Sequence, residues 1–107
     1  MRRHLLSAEE RQVRSRLLQL CSEHWLMRAS LSERPRTCGK PNCRCARGQL
    51  HQSLYVVQSR LGKPRQLFVP KTWEERVRQA VQDYQQLQRL LEEVSELEWG
   101  HLERREP

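Results

Sequence analysis

Apolar positions along the chain change period twice, and each change marks a change of structure. Val13, Leu17, Leu20, Cys21 and Trp25 recur at helical spacing, with Leu18 and Leu26 widening the stripe. Ser7-Ala8-Glu9-Glu10 fits a capping box, with Ser7 at the N-cap and Glu10 at the third helical position. Together these predict a helix over about residues 8–28 whose other face carries Arg11, Arg14 and Arg16. Cys21 falls on the apolar stripe, which assigns it to the core as a small hydrophobe.

From Ala29 to Pro70 the helical period is lost. Leu54-Tyr55-Val56-Val57 and Gln66-Leu67-Phe68-Val69 are rich in β-branched and aromatic residues and flank the turn Leu61-Gly62-Lys63-Pro64. That pattern predicts a β-hairpin. Residues 30–37 supply a third strand, confined to an edge by Pro35.

The helical period returns after Pro70. Thr72-Trp73-Glu74-Glu75 reads as a second capping box, and Val77, Ala80, Tyr84, Leu87, Leu91 and Val94 follow as a heptad seam. Gly100 is the expected stop. A helix over 73–99 is roughly 40 Å long at 1.5 Å per residue. A small β module cannot bury that length, so the seam must meet the first helix, a second copy of the chain or a partner.

The expected fold is therefore α+β: an N-terminal helix, a small antiparallel β module and a long C-terminal helix. The segments are 1–29, 30–71 and 72–107, joined in one compact domain. At 107 residues and 36% apolar composition, the chain has a thin margin of core burial. A bound metal suits such a chain. No stretch approaches the roughly 18–20 apolar residues of a membrane span. The start, Met1-Arg2-Arg3-His4-Leu5-Leu6, lacks the long apolar run of a secretory signal. The expected location is the cytoplasm, where clustered cysteines are metal ligands more often than disulfides.

The formal charge of +7 is unevenly spread. Residues 1–32 carry six Arg against three Glu, and residues 72–107 carry five basic against nine acidic residues. Between them, residues 33–71 carry nine Lys or Arg against the single Glu33. Such a block attracts polyanions, nucleic acid first.

Inside that block lies Cys38-Gly39-Lys40-Pro41-Asn42-Cys43-Arg44-Cys45, followed by His51. Three thiolates and one imidazole satisfy the tetrahedral preference of zinc. Gly39 permits a tight turn after the first ligand, and Pro41-Asn42 suits a turn that brings Cys38 back towards Cys43. Cys38, Cys43, Cys45 and His51 are the expected ligands of one zinc ion. His4, His24 and His101 are the competitors for the fourth place, and a thiol redox switch between Cys43 and Cys45 is a further alternative. A catalytic zinc keeps a position open for water and needs an acid/base group nearby. The sequence has no carboxylate between Glu33 and Glu74, and the Glu that accompanies zinc ligands in deaminases is missing. The zinc is expected to be structural, and no enzymatic motif stands elsewhere.

The run Cys38 to Gly48, with Leu50-His51 and the aromatic-containing strand after it, resembles a family of short uncharacterised prokaryotic proteins. They share a CGKxxCxCxxGxxH core, a hairpin ending near Val-Pro and a long C-terminal helix. The resemblance covers roughly residues 25–100. It implies that Cys38, Cys43, Cys45 and His51 are shared positions, in a setting near transposase and other mobile-element genes. After the His the family pattern continues with Gly-Pro and tyrosines, where this chain has Gln52-Ser53-Leu54-Tyr55. The family brings no established activity with it.

Arg34, Arg36, Lys40, Arg44, Arg47, Arg60, Lys63, Arg65 and Lys71 surround the cysteine motif and are the candidate nucleic-acid contacts. Lys40 and Arg44, inside the motif, come first. Tyr55 could stack on a base, although a lone strand tyrosine is more often packing. The signatures of sequence-specific DNA or RNA readers are absent. The expected function is a zinc-stabilised nucleic-acid-binding accessory protein that assists a transposase or recombinase. The alternative is a protein-interaction adaptor whose seam Val77–Val94 dimerises or binds a partner helix.

Overall fold

Ser7 opens α1 (Ala8–Glu23) by accepting a hydrogen bond from the Glu10 amide at 3.1 Å. In the computed structural model, which describes residues 6–36, 39–44, 48 and 51–106, this N-cap is as the capping box predicts. The helix ends at Glu23, earlier than the apolar stripe suggests. Ser22 turns its hydroxyl back onto the Gln19 carbonyl, and the last turn holds Glu23 but no basic residue. Both features weaken a helix C-terminus. His24 then leaves in extended conformation. The early exit puts Trp25 outside the helix, and Cys21 is exposed rather than part of the core.

Three antiparallel strands follow in the order β1 (Ser30–Arg36), β2 (His51–Arg60) and β3 (Lys63–Val69). The expected third strand is β1, with Pro35 on an edge as required. β2 and β3 are joined by Leu61 and Gly62, both with positive φ (53° and 78°). Two such residues make the tight turn whose twist matches a hairpin. That turn pairs Arg60 with Lys63 and, further along, Tyr55 with Phe68. On the other side of β2, Arg36 pairs with His51, so the connection 37–50 leaves and re-enters the sheet at one place.

Pro70 and a 3₁₀ turn over Lys71–Trp73 lead into α2 (Glu74–Arg104). Pro70 carries no side-chain cap, and the Trp73 amide bonds the Pro70 carbonyl at 2.9 Å. The expected Thr72–Glu75 capping box thus gives way to a 3₁₀ entry set by proline's fixed φ of −58°. Gly100 does not stop the helix. The ladder runs on to Arg104, and Arg105 adopts φ 59°. Glu106 N–H then bonds the His101 carbonyl and Arg105 N–H the Leu102 carbonyl. This is a Schellman ending built on arginine instead of glycine. A helical glycine costs about 1 kcal/mol against alanine. The turn around it is secured by His101, whose Nε2 donates to Glu10 at 2.6 Å.

The chain divides into two compact units. The sheet unit, residues 28–81, buries Leu54 and Val69 from the strands with Val77, Ala80 and Val81 from the start of α2. An ion pair between Arg78 and Glu33 ties α2 to β1. The helical unit holds α1 with residues 82–104 of α2. Here Glu10–His101, Arg14–Glu98 at 2.9 Å and His24–Asp83 at 2.7 Å set the two helices antiparallel. Val13 and Leu90 are buried between them, and Tyr84, Leu87 and Val94 half-buried. Of the expected seam, all but Leu91, which is 50% exposed, is thus buried or half-buried within the chain. Among the described residues no helix is long and apolar enough to cross a membrane.

Two stability predictions follow from these contacts. Leu61 is 92% exposed and left-handed, a conformation costing an ordinary residue roughly 1–2 kcal/mol. Leu61→Asn should raise the denaturation midpoint by an amount worth up to about 1 kcal/mol. In the helical unit, the hydrogen bond from His101 holds the Glu10 carboxyl below its ordinary 4.5, outweighing the burial that pushes it up. A lowered carboxyl stabilises the fold above its unfolded value and loses that contribution as pH falls through the folded one. Helicity monitored by circular dichroism should thus weaken from about pH 4.5 downwards, and Glu10→Gln should flatten part of that slope.

Candidate functional site

Lys40-Pro41-Asn42-Cys43 forms the turn that the sequence predicts, closed by the Cys43 amide on the Lys40 carbonyl at 3.2 Å. Gly39 before it has φ +82°, a left-handed conformation that a side chain would strain. The turn delivers Cys43 to the end of the sheet where β2 begins. There the Cys43 Sγ lies 3.1 Å from the His51 Nε2. Cys38 and Cys45 lie outside the described residues.

The two groups stand at hydrogen-bond distance, close to the spacing that two ligands of one metal ion would take. Zinc sits about 2.3 Å from a thiolate sulfur and about 2.0–2.1 Å from an imidazole nitrogen. Tetrahedral ligands at those lengths stand about 3.5 Å apart, a few tenths more than the gap observed. His51 is therefore the histidine that the fold brings to a motif cysteine. Its competitors His24 and His101 are taken by Asp83 and Glu10 in the helical unit. His4 lies outside the described residues. No group of three or more metal-binding side chains occurs among the described residues, two of the four candidate ligands being outside them.

Cys43 and His51 line a depression of about 380 Å³ with Arg36, Lys40, Phe68, Lys71 and Glu74. Glu74 is a correction. The sequence has no carboxylate near the cysteines, but the return of the chain into α2 brings one to the depression. Three of the candidate basic residues, Arg36, Lys40 and Lys71, converge here. Arg44 is exposed in the same connection, and Arg47 lies outside the described residues. Arg60, Lys63 and Arg65 stand at the far, hairpin end of the sheet. Arg65 is held there by Gln58 at 2.7 Å from its Nε.

Residues 6–79 match a family defined by a domain of unknown function, DUF6788. The chain belongs to that family. No curated protein and no solved structure matches it. The DUF6788 match takes in α1, the whole sheet and the first turns of α2, so the depression and its basic residues fall inside the shared domain.

The pairing register also decides which residues share a face. Arg34, Arg36, His51, Tyr55, Gln66 and Phe68 stand on one face, and Glu33, Leu54 and Val69 on the other. On the first face Arg34 reaches the adjoining strand β2 and Arg36 reaches across it. The Arg34 guanidinium carbon lies 4.6 Å from the Tyr55 ring centre, and that of Arg36 lies 4.9 Å from the Phe68 ring centre. The two rings meet edge to face at 5.8 Å. Arg34 is fixed further by Gln66 at 2.7 Å and Ser32 at 3.2 Å. Sequence reasoning weighed Tyr55 alone and missed Phe68. The signal was available, since reading Leu61-Gly62 as a two-residue turn puts Tyr55 opposite Phe68.

Proposed function

We propose that the protein is a zinc-stabilised nucleic-acid-binding accessory factor. The observation that carries this reading is the convergence of Arg36, Lys40 and Lys71 on the depression that Cys43 and His51 line. The sheet unit concentrates the charge: residues 28–81 carry twelve basic against three acidic side chains. Long cationic side chains around a fixed turn suit phosphates, and they bind without reading bases. A role beside a transposase or recombinase rests on the resemblance of the cysteine motif.

Cys38, Cys43, Cys45 and His51 would hold the ion. The contact between Cys43 and His51 supports this ligand set, and the other two cysteines are close to it in sequence. Cys38 is two residues from the β1 end at Arg36, and Cys45 is two from Cys43. Four protein donors complete a tetrahedron and leave no place for a reactive water, which favours a structural ion despite Glu74. Such an ion would pin the connection 37–50 to the sheet. Metal analysis of the purified chain should find one zinc per molecule. Cys43→Ser and His51→Ala should each weaken zinc by more than the 10–100-fold typical of outer-shell changes. Chelation should lower the thermal midpoint of the native chain.

Nucleic-acid binding should show the salt dependence of phosphate contacts. Fluorescence anisotropy with labelled oligonucleotides at 50 and 200 mM salt should give an affinity loss of roughly 10³-fold if about six phosphates are engaged. Lys40→Ala with Lys71→Ala should lower the salt slope by about two. Micromolar or weaker binding to every nucleic acid at low salt would defeat the reading.

A second reading has its own observation. Leu91, Trp99 and Leu102 recur along one line of α2 and are 50%, 63% and 67% exposed. The rest of the expected seam, Val77 to Val94, is occupied within the chain, so a dimer or partner would meet its exposed member Leu91 together with Trp99 and Leu102. Light scattering of the full chain, with and without Trp99→Glu, should report a mass change if it does.

A further inference from the structure

The basic residues near Cys43 explain attraction to phosphates, but they do not explain the rings. Tyr55 and Phe68 are adjacent across β2 and β3 on the sheet face opposite Leu54 and Val69. Phe68 is 45% exposed although it is the one phenylalanine of the chain. A chain with so few large apolar residues has reason to bury such a ring. Here it stands at the surface under a guanidinium. None of the described residues on this face is acidic, and Glu33 sits on the other face with Arg78. Arg36 and Phe68 also line the depression with Lys40, Lys71 and Glu74, so the Phe68 ring adjoins the phosphate-binding candidates.

We propose that this face of the sheet is a stacking platform for unpaired bases, which makes the ligand single-stranded nucleic acid. The inference rests on the nucleic-acid reading above and adds to it the strand state of the ligand. A duplex keeps its base faces stacked inside and offers a protein mainly phosphates and groove edges. A single strand offers base faces, for which aromatic rings and guanidinium planes are the matching surfaces. Arg34 and Arg36 serve both needs. Each lays a flat, weakly hydrated cation over a ring and keeps a fork of donors for phosphate oxygens. Gln66 and Ser32, which hold Arg34 in place, supply neutral hydrogen-bonding groups beside the rings. The platform distinguishes paired from unpaired strands and not one base from another, because every base has a face to stack.

The test uses the full chain with single-stranded DNA, single-stranded RNA and the duplex of one sequence, compared at matched phosphate number and salt. Single strands should bind at least about tenfold tighter than duplex, given the gain expected for each stacked base. Phe68→Leu and Tyr55→Leu keep apolar bulk but remove the ring. Each should weaken single-strand binding by roughly five- to 150-fold per base lost while leaving duplex affinity and the salt slope unchanged. Comparison of the DNA and RNA arms shows which strand chemistry is preferred. Photocrosslinking of the unmodified protein to an oligonucleotide carrying 5-iodouracil should place the adduct on Tyr55 or Phe68, which decides the matter even if a variant misfolds. Duplex binding as tight as single-strand binding overturns the platform and leaves the polyanion reading standing. So does an adduct mapped elsewhere. No binding in any arm removes both. A dimer that Phe68→Leu dissociates makes the face a contact between copies and overturns the platform.

Discussion

The pairing of β2 with its two neighbours is the constraint on which the candidate site depends. Arg36 opposite His51 brings the start of β2 to the end of β1, and with it the turn that carries Cys43. Tyr55 opposite Phe68 sets two rings side by side on one face. Side chains alternate along a strand, so a slip of one residue in either pairing would send half of these groups to the opposite face. The hairpin register is fixed locally by Leu61-Gly62, at the expense of a leucine held left-handed. The β1–β2 register has no such local device, because its connection is long. It is fixed instead by packing: Glu33 must face Arg78, and Leu54 must face the apolar start of α2. A metal held by residues of that connection and by His51 would act on the same register from its open end.

Most of the architecture was legible because it was written in short-range signals. Ser7 and Glu10 marked the start of α1, Leu61-Gly62-Lys63-Pro64 marked the hairpin turn although Lys63 and Pro64 belong to β3, and Pro35 marked the edge. The errors came where a distant group decided the outcome. α1 stops where His24 leaves for Asp83, and α2 ignores Gly100 because His101 is anchored by Glu10. Neither partner is visible from the local pattern. Cys21 lay on the apolar stripe, yet the stripe is wider than the single neighbouring helix can cover. Two helices bury only a narrow line between them, here Val13 with Leu90, and leave the flanks of each stripe to solvent.

The site shows the same division. Pro41-Asn42 announced a turn, and the turn is there. The association of Cys43 with His51 was guessed from chemistry, and the β1–β2 register supplies its geometry. Glu74 could not be anticipated, since its place beside the cysteine motif depends on how α2 returns against the sheet. The arginine–aromatic stacks were half legible. Tyr55 and Phe68 follow from the turn length, but Arg34 reaches Tyr55 on the adjoining strand and Arg36 reaches Phe68 across β2, through a β1–β2 register that packing against α2 fixes. Sequence spacing ranks the nine basic residues by closeness to the cysteines. The fold ranks them differently, putting Lys71 with Lys40 and sending Arg60, Lys63 and Arg65 to the other end.

Charge and shape then point in one direction within the sheet unit and another within the helical unit. Residues 28–81 carry a formal +9, while residues 1–27 with 82–107 carry −2. In the proposed reading a polyanion would be drawn to the sheet, with the acidic residues of the helical unit contributing nothing to holding it. Screening sharpens the partition, since at physiological salt only charges within about 8 Å act on a phosphate. Among the described residues, Arg36, Lys40 and Lys71 line the depression, Arg34 stands at the neighbouring strand position, and Arg44 is exposed in the connection 37–50. The two rings beneath the arginines add an interaction that salt does not screen and a duplex cannot use. In the proposed reading, rings set beneath arginines match an opened strand better than a closed one.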